Sequence, residues 1–280
     1  MRHVDPMPEI SPYVLCGSLS LHPVSLGTLM HRAGYAALGL DRWTYVPFAV
    51  TNLDGALRGM RALGVRGFGV SMPFKIEIMP LLDRLDELAR RIGAVNTVVN
   101  DDGVLTGHNT DAWGAARALE EALPLRGKSA LLVGAGGAAR AVAASLAAEG
   151  MRVHVVNRTP ERVEVLAKDL GAGISGGPLD DLARLASVDA LVNCSSAGMA
   201  EYGAASPVPE ALLRPGLVVM DIVYKPIETE LLRAARRRGA IGIHGGRMLL
   251  HQACRQFELY TGRTAPLEAM DRALRAAIRE

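Results

Sequence analysis

This 280-residue chain has few cysteines, almost no net charge and no long apolar run. Its three cysteines, Cys16, Cys194 and Cys254, are far apart and form no Cys-x-x-Cys pair. That excludes a disulfide framework and a cysteine-based zinc site, and it fits a reducing compartment. Lys and Arg number 31 against 29 Asp and Glu, a balance of +2. Such a balance gives no electrostatic footprint for nucleic acid. The Arg236-Arg237-Arg238 cluster adjoins an apolar helical stripe and reads as a solvated helix end. No stretch approaches the ~20 apolar residues that a membrane helix needs. The opening Met1-Arg-His-Val-Asp-Pro6 lacks the apolar core of a secretion signal, so a cytoplasmic location is expected. The seven histidines make no metal-binding pattern, and no metal is expected. Fixed-period repeats and low-complexity tracts are absent as well.

What is present is an alternation of strand and helix patterns with 49% hydrophobic residues. This predicts an α/β protein with largely parallel sheets, long enough for two modest domains. Tyr13–Cys16, Thr44–Pro47 and Gly67–Ser71 read as strands. Thr28–Leu38, Leu53–Leu63 and Ile78–Ile92 read as helices. Asn96–Asn100 and Val104–Leu105 flank Asp101-Asp-Gly103 as a hairpin. Further on, Ala130–Val133, Val153–Val156, Ala190–Asn193, Leu217–Asp221 and Ile241–Ile243 are apolar runs separated by helical patterns. They suit a dinucleotide-binding domain over residues 111–245. Met248–Tyr260 and Leu267–Ile278 are closing helices, expected to pack back on the first domain.

Leu131-Leu-Val-Gly-Ala-Gly-Gly-Ala-Ala-Arg140 is the most informative stretch. A strand ends in a glycine turn that opens a helix, the arrangement that places a pyrophosphate on a helix N-terminus. Gly134 permits the tight turn, and Gly136, Gly137 and Ala138 allow backbone approach to phosphate. Ala139 takes the close-packing position. About twenty residues on, where an acid would select NAD, the next strand ends in Asn157-Arg158-Thr159. Arg158, with Arg162 one helical turn later, suits the 2′-phosphate of NADP; a solvated helix start is the bland alternative.

Ser71-Met-Pro-Phe-Lys75 ends a strand, and Pro73 blocks its continuation. A lysine at a strand end can act as acid or base where desolvation and a neighbouring charge tune it. Asp111, in Gly107-His-Asn-Thr-Asp111, is a candidate partner, although taken alone helix N-capping explains it better. Asn96 fits a turn or strand end. Asn193-Cys-Ser195-Ser-Ala-Gly-Met199 follows a strand with small residues suited to close backbone approach. Tyr224 follows Asp221 in a turn toward Thr229. Gln252 lies one helical turn beyond Met248, on the same face.

Together these motifs resemble the shikimate dehydrogenase family over nearly the whole chain. Those carrying the likeness are Ser71–Lys75, Gly93–Thr97, Asn109–Asp111, Gly134–Ala139, Asn157–Thr159, Asn193–Met199, Asp221…Tyr224…Pro226…Thr229 and Met248…Gln252, followed by Phe257–Gly262. The resemblance implies a substrate domain from residues 1–110 and 246–280 around a Rossmann-type NADP domain. It implies reversible hydride transfer between NADP(H) and shikimate with 3-dehydroshikimate, with Lys75 and Asp111 as the catalytic pair. Ser25, Ser71, Asn96, Tyr224 and Gln252 would contact the substrate. Ser195, Met199 and Met248 would lie near the nicotinamide. No nucleic-acid or membrane partner is implied, and the chain would be a monomer or homodimer.

Departures from the family pattern matter too. Ser25 matches the first of two serines that hold the substrate carboxylate, but Gly27 replaces the second and Thr28 a proline. Arg247 stands where Gly is common. These changes are similar to the divergent shikimate dehydrogenase-like subgroup. Losing one hydroxyl donor to a carboxylate costs on the order of 1.5–3 kcal/mol. Quinate or another cyclic hydroxy acid is therefore an alternative substrate. A dinucleotide-binding regulatory protein without turnover is a third reading, although it has no need of the Lys75/Asp111 pair.

Overall fold

The computed structural model describes residues 12–23 and 26–278, so Ser25 lies outside the described residues. The chain begins β1 (Val14–Ser20), α1 (Leu26–Ala37), β2 (Trp43–Ala49), α2 (Leu53–Ala62), β3 (Gly67–Val70) and α3 (Phe74–Glu77). It continues β4 (Arg84–Leu85), α4 (Glu87–Ile92), β5 (Thr97–Asp101), β6 (Val104–His108) and α5 (Thr110–Glu120). These strands form one six-stranded sheet in the order β2-β1-β3-β5-β6-β4. Its β2-β1-β3 part is parallel, whereas β5 runs antiparallel to both β3 and β6. At the β5–β6 hairpin, Asp102 and Gly103 both have positive φ (51° and 90°), the left-handed pair of a two-residue turn.

The second half is β7 (Ser129–Val133), α6 (Gly137–Ala148), β8 (Arg152–Val156), α7 (Pro160–Leu170), β9 (Ile174–Gly177) and β10 (Ala190–Asn193). It ends with β11 (Val218–Asp221), α8 (Glu230–Arg237), β12 (Ile241–His244), α9 (Gly245–Thr261) and α10 (Leu267–Ile278). The second sheet is wholly parallel, in the order β12-β11-β10-β7-β8-β9. The order reverses between β7 and β10, and the crevice at that reversal is where doubly wound sheets bind ligands. β7 and β10 are buried almost throughout, reading as continuous apolar runs because helices cover both faces.

The closing helices return to the first sheet. Leu250, Ala253, Cys254 and Phe257 of α9, with Met270 and Leu274 of α10, share a core with Cys16, Met30, Tyr35 and Tyr45. Arg66, just before β3, donates to the carbonyl oxygens of Tyr260 (2.8 Å) and Leu259 (3.2 Å) at the end of α9. An arginine there satisfies carbonyls that the last turn leaves unpaired.

Two expectations need correction. Ile78–Ile92 is not one helix but a helical turn, the short strand β4 and α4. Asp83 accepts the backbone N–H of Leu105, and Asp86 accepts that of Ala89 as the N-cap of α4. The Asp83 bond to β6 and the local Asp86 cap, with Pro80, interrupt the helix that the apolar spacing suggested. The N-cap of α5 is Asn109, whose Oδ1 accepts from Ala112 N at 3.1 Å, and not Asp111. The strand β9 was not among the expected elements; its Ser-Gly-Gly composition carries little strand signal.

His31 is wholly buried, its ring stacked on Tyr45 with centroids 4.2 Å apart. Its Nδ1 donates to Gly27 O at 2.9 Å, and Nε2 has no partner. Burial pulls its pKa down to about 4, against a smaller opposing effect of the Gly27 carbonyl. The unfolded chain then binds the extra proton first. The contribution of neutral His31 is full above the ordinary histidine pKa of roughly 6.5 and is lost as pH falls through about 4. Urea unfolding from pH 7.5 to 4.5 is expected to lose on the order of 2–3 kcal/mol from this group. His31→Gln should flatten that slope; an unchanged slope would remove His31 as its source.

Candidate active site

The site starts from the N-terminus of α5, where backbone N–H groups lack helical partners. Asn96 Oδ1 accepts from Thr110 N at 2.7 Å. It also accepts the hydroxyls of Thr97 (2.9 Å) and Thr110 (3.1 Å). An N–H only donates, so the atom facing Thr110 must be the Asn96 oxygen. The Asn96 amide nitrogen points elsewhere and has no protein partner among the described residues.

With that turn anchored, Asp111 Oδ2 accepts from Lys75 Nζ at 2.6 Å. Their side chains are 22% and 32% exposed, so the pair is partly open to solvent. Lys75 is held from behind, since its carbonyl oxygen accepts from Val95 N at 2.8 Å. The neighbouring Asn109 Nδ2 donates to Ala94 O at 3.0 Å. The segment 94–96 thereby joins the lysine strand end to the aspartate helix. Ser71 ends β3 exposed, its N–H donating to Leu19 O at 3.0 Å.

Gln252 reaches this network from α9. The Thr110 hydroxyl, whose proton goes to Asn96, lies 3.4 Å from its Oε1, and Gln252 Nε2 donates to Leu249 O at 3.1 Å. One turn on, buried Gln256 donates to Thr97 Oγ1 (3.0 Å) and Asn96 O (3.3 Å). Thr97, Thr110 and Gln256 were not singled out from the sequence. The signal that was available for Gln256 is its i+4 spacing from Gln252 on one helix face. The helices meet at Gly114, where a Cβ would lie 2.7 Å from Met248 O and 2.8 Å from Gln252 N. Both are backbone atoms, so only glycine fits at this crossing. Farther along, Glu121 closes the α5–α9 contact with His251 (2.7 Å) and Arg247, and Arg247 pairs with Asp271 of α10 at 2.9 Å. His251 thus has the acidic partner its sequence neighbourhood lacks. Arginine and histidine together hold the Glu121 carboxyl below its ordinary pKa against the opposing effect of burial.

Across the cleft, β7 ends at the glycine turn. Gly134 has φ +113°, and a Cβ there would meet Cys194 O at 3.1 Å. Gly136 N-caps the twelve-residue α6, and the Cβ directions of Gly136 and Gly137 face open space. A cavity of about 610 Å³ is lined by these glycines, Arg162 and, from the first half, Ile76, the residue next to Lys75. A second cavity of about 330 Å³ joins Gly134, Asn157, Arg158, Ser195 and Ala197. Arg158 and Arg162 are exposed and line different cavities, one on each side of the start of α7. No ion pair engages either among the described residues.

The Ser195 loop is held by a buried carboxylate. Asp221 accepts from Asn193 Nδ2 (2.9 Å), Val223 N (3.1 Å) and Thr229 Oγ1 (2.7 Å). Burial pushes its pKa upward, with these bonds opposing. Asn193 Oδ1 accepts in turn from Ser195 N and Oγ. Met199 lies half-buried beyond this loop, and Met248 packs half-buried against the second-sheet core. Tyr224 is 38% exposed beyond β11. It shares no hydrogen bond with Lys75 or Asp111 among the described residues.

A doubly wound sheet with this glycine turn defines a dinucleotide-binding α/β protein. The family profiles go further. Residues 22–98 match the shikimate dehydrogenase substrate binding domain, 116–224 shikimate / quinate 5-dehydrogenase, and 245–275 the shikimate 5′-dehydrogenase C-terminal domain. The shikimate dehydrogenase (NADP(+)) of Natronomonas pharaonis is 48% identical over 269 residues, covering 95% of this chain and 99% of its own length. The shikimate 5-dehydrogenase of Thermus thermophilus, solved with NADP(H) and shikimate, is 37% identical with a TM-score of 0.84, covering 94% and 99%. The quinate dehydrogenase of Corynebacterium glutamicum, solved with NAD, is 33% identical with a TM-score of 0.86, covering 95% and 100%. The chain belongs to the shikimate dehydrogenase family.

Gly114→Ala tests the helix crossing. Its methyl group is expected to drive α9 from α5, costing about 1–3 kcal/mol in urea unfolding. An unchanged midpoint would mean that the crossing accommodates a side chain.

Proposed function

We propose that this chain is an NADP-dependent oxidoreductase interconverting 3-dehydroshikimate and shikimate, with Lys75 and Asp111 as its catalytic pair. The observation that carries the reading is the 2.6 Å amine–carboxylate contact, built on a segment whose next residue faces the glycine turn across the cleft. We assign residues 1–110 and 246–280 to substrate binding and 111–245 to the nucleotide. The cofactor fits the residues present. Open N–H groups at the start of α6 suit the pyrophosphate, and the unpaired Arg158 and Arg162 suit the 2′-phosphate.

When bound, the nicotinamide supplies or accepts the hydride at the substrate carbon. In the reducing direction, the Lys75 ammonium stabilises the negative charge developing on the substrate oxygen and gives it a proton. Asp111 holds the amine in place and accepts a hydrogen bond from a substrate hydroxyl. In the oxidising direction neutral Lys75 takes the hydroxyl proton. The free Asn96 amide donates toward the substrate, and Ser25, Ser71, Tyr224 and Gln252 complete its contacts. Ser195, Met199 and Met248 border the nicotinamide. The buried free cysteines suit a reducing, cytoplasmic setting. No described helix is long and apolar enough to cross a membrane. A monomer or homodimer serves this chemistry equally.

Gly27 favours one second reading. Among the described residues a Cβ there would have only the Tyr45 ring and hydroxyl within 4 Å, so the position offers room and no hydroxyl of its own. Quinate, with the same chemistry, is that alternative. Assays of shikimate and quinate, each with NADP+ and NAD+, decide between them; turnover of neither acid rejects both. Lys75→Ala is expected to lower kcat by about a hundredfold or more while leaving the NADP+ Kd within about twofold; near-normal turnover would refute the assignment. Arg158→Gln should weaken NADP+ by roughly ten- to a hundredfold while sparing NAD+. Equal losses for both cofactors would remove the 2′-phosphate role.

A further inference from the structure

Two arginines cross between the halves of the molecule beside the glycine turn, each reaching the carbonyl end of a helix in the other half. Arg140 lies in the first turn of α6, its backbone N–H donating to Gly136 O at 3.0 Å. Two of its three side-chain contacts cross out of the nucleotide half. Nε donates to Ile92 O at 2.6 Å and Nη2 to Arg91 O at 3.5 Å, the last carbonyls of α4. Its third contact, Nη1 to Asp169 Oδ2 at 2.9 Å, fixes the guanidinium against α7. Arg91 answers in reverse, its Nη2 donating to Leu170 O at the end of α7. Helix C-termini leave carbonyl groups unpaired and carry partial negative charge, so both guanidinium groups meet complementary ends.

The residues just after Ile92 give the contact its meaning. Gly93 turns the chain in the left-handed region (φ 76°), and the next three residues serve the candidate site. Ala94 O accepts from the Asn109 side chain, Val95 N donates to Lys75 O, and Asn96 Oδ1 anchors Thr110. A path of hydrogen bonds and adjoining backbone therefore runs from Gly136 through Arg140 and Ile92 along residues 93–96 to Lys75 and, through Thr110, to the neighbouring Asp111. We infer that Arg140 is a positioning residue, a strut that fixes the phosphate-binding turn relative to the amine–carboxylate pair and transmits nucleotide binding to it. It touches no reacting atom. Its fork of donors engages three oxygens on two helices, which a lysine cannot reproduce in full.

The inference rests on the catalytic reading of Lys75 and Asp111, but one of its readouts needs no turnover. Arg140→Gln is expected to lower kcat about tenfold or more, as a misplacement of ~1 Å does, with the Kd for NADP+ within about twofold. Arg140→Lys should recover part of that loss. In hydrogen–deuterium exchange, NADP+ should slow the amides of residues 94–97 and 110–112 in the native chain and leave them unchanged in Arg140→Gln. If that variant fails to fold, Arg91→Gln carries the same measurements from the other half. Unaltered kcat with the exchange response intact would overturn the strut. So would NADP+ leaving these amides unprotected in the native chain, or a kcat loss matched by an equal loss of NADP+ affinity. A native chain with the expected exchange response but no turnover of either acid would instead overturn the functional reading and leave the strut standing.

Discussion

The bond from the Thr110 amide to the Asn96 oxygen is the constraint on which the site depends. A helix that starts inside a protein must satisfy its first N–H groups, and here a side chain from the preceding β-hairpin does so. Using the oxygen in this way fixes which way Asn96 faces, where α5 begins and hence where Asp111 projects. Lys75, in the short helix α3 that follows β3, is tied to the same three-residue segment through its carbonyl oxygen. The pair is thus set by backbone bonds, with its own charge attraction added to a geometry already in place. For groups that are partly exposed, preorganisation of this kind matters more than the strength of the ion pair itself.

Much of the nucleotide half was legible in the sequence because its signals are local. A buried parallel strand reads as an apolar run, and a glycine turn followed by an alanine-rich helix has few other uses. The hairpin turn at Asp102-Gly103 and the helix Leu267–Ile278 were legible for the same reason. The meeting of Lys75 with Asp111 was not. It depends on β5 running antiparallel between β3 and β6, which no local pattern states, and the family resemblance supplied it. Buried Thr97 and Thr110 carry no periodicity of their own, and the i+4 spacing of Gln256 from Gln252 gains a meaning only once α9 is laid across α5. Ile78–Ile92 misled because its apolar spacing comes from separate short elements, Ile78 packing in the first-sheet core and Ile92 in the second, with aspartates interrupting the backbone between them.

Charge is distributed with the same logic. Arginines on the outer helices mostly meet acids, as Arg237 meets Glu210 and Glu230, while Arg66, Arg91 and Arg140 also reach backbone carbonyls at helix ends. Against this background Arg158 and Arg162 stand out by position, at the rim of the cavities that flank the glycine turn. Asp221 shows the opposite solution. Its carboxylate is buried under three donors and shapes a loop, so its acidity belongs to architecture and not to proton transfer.

The return of α9 and α10 to the first sheet has a consequence for the growing polypeptide. Tyr35, Tyr45, Met30 and Cys16 emerge early from the ribosome, yet the helices that cover them come last. At about 5–20 residues per second, the stretch between them takes on the order of ten seconds to synthesise. The interrupting nucleotide half is contiguous and can fold during that interval. The first sheet must wait with one apolar face uncovered, and Arg66 finds the carbonyls of Leu259 and Tyr260 only once α9 has appeared. The nascent protein thus passes through a stage in which its apolar surface calls for shielding by chaperones.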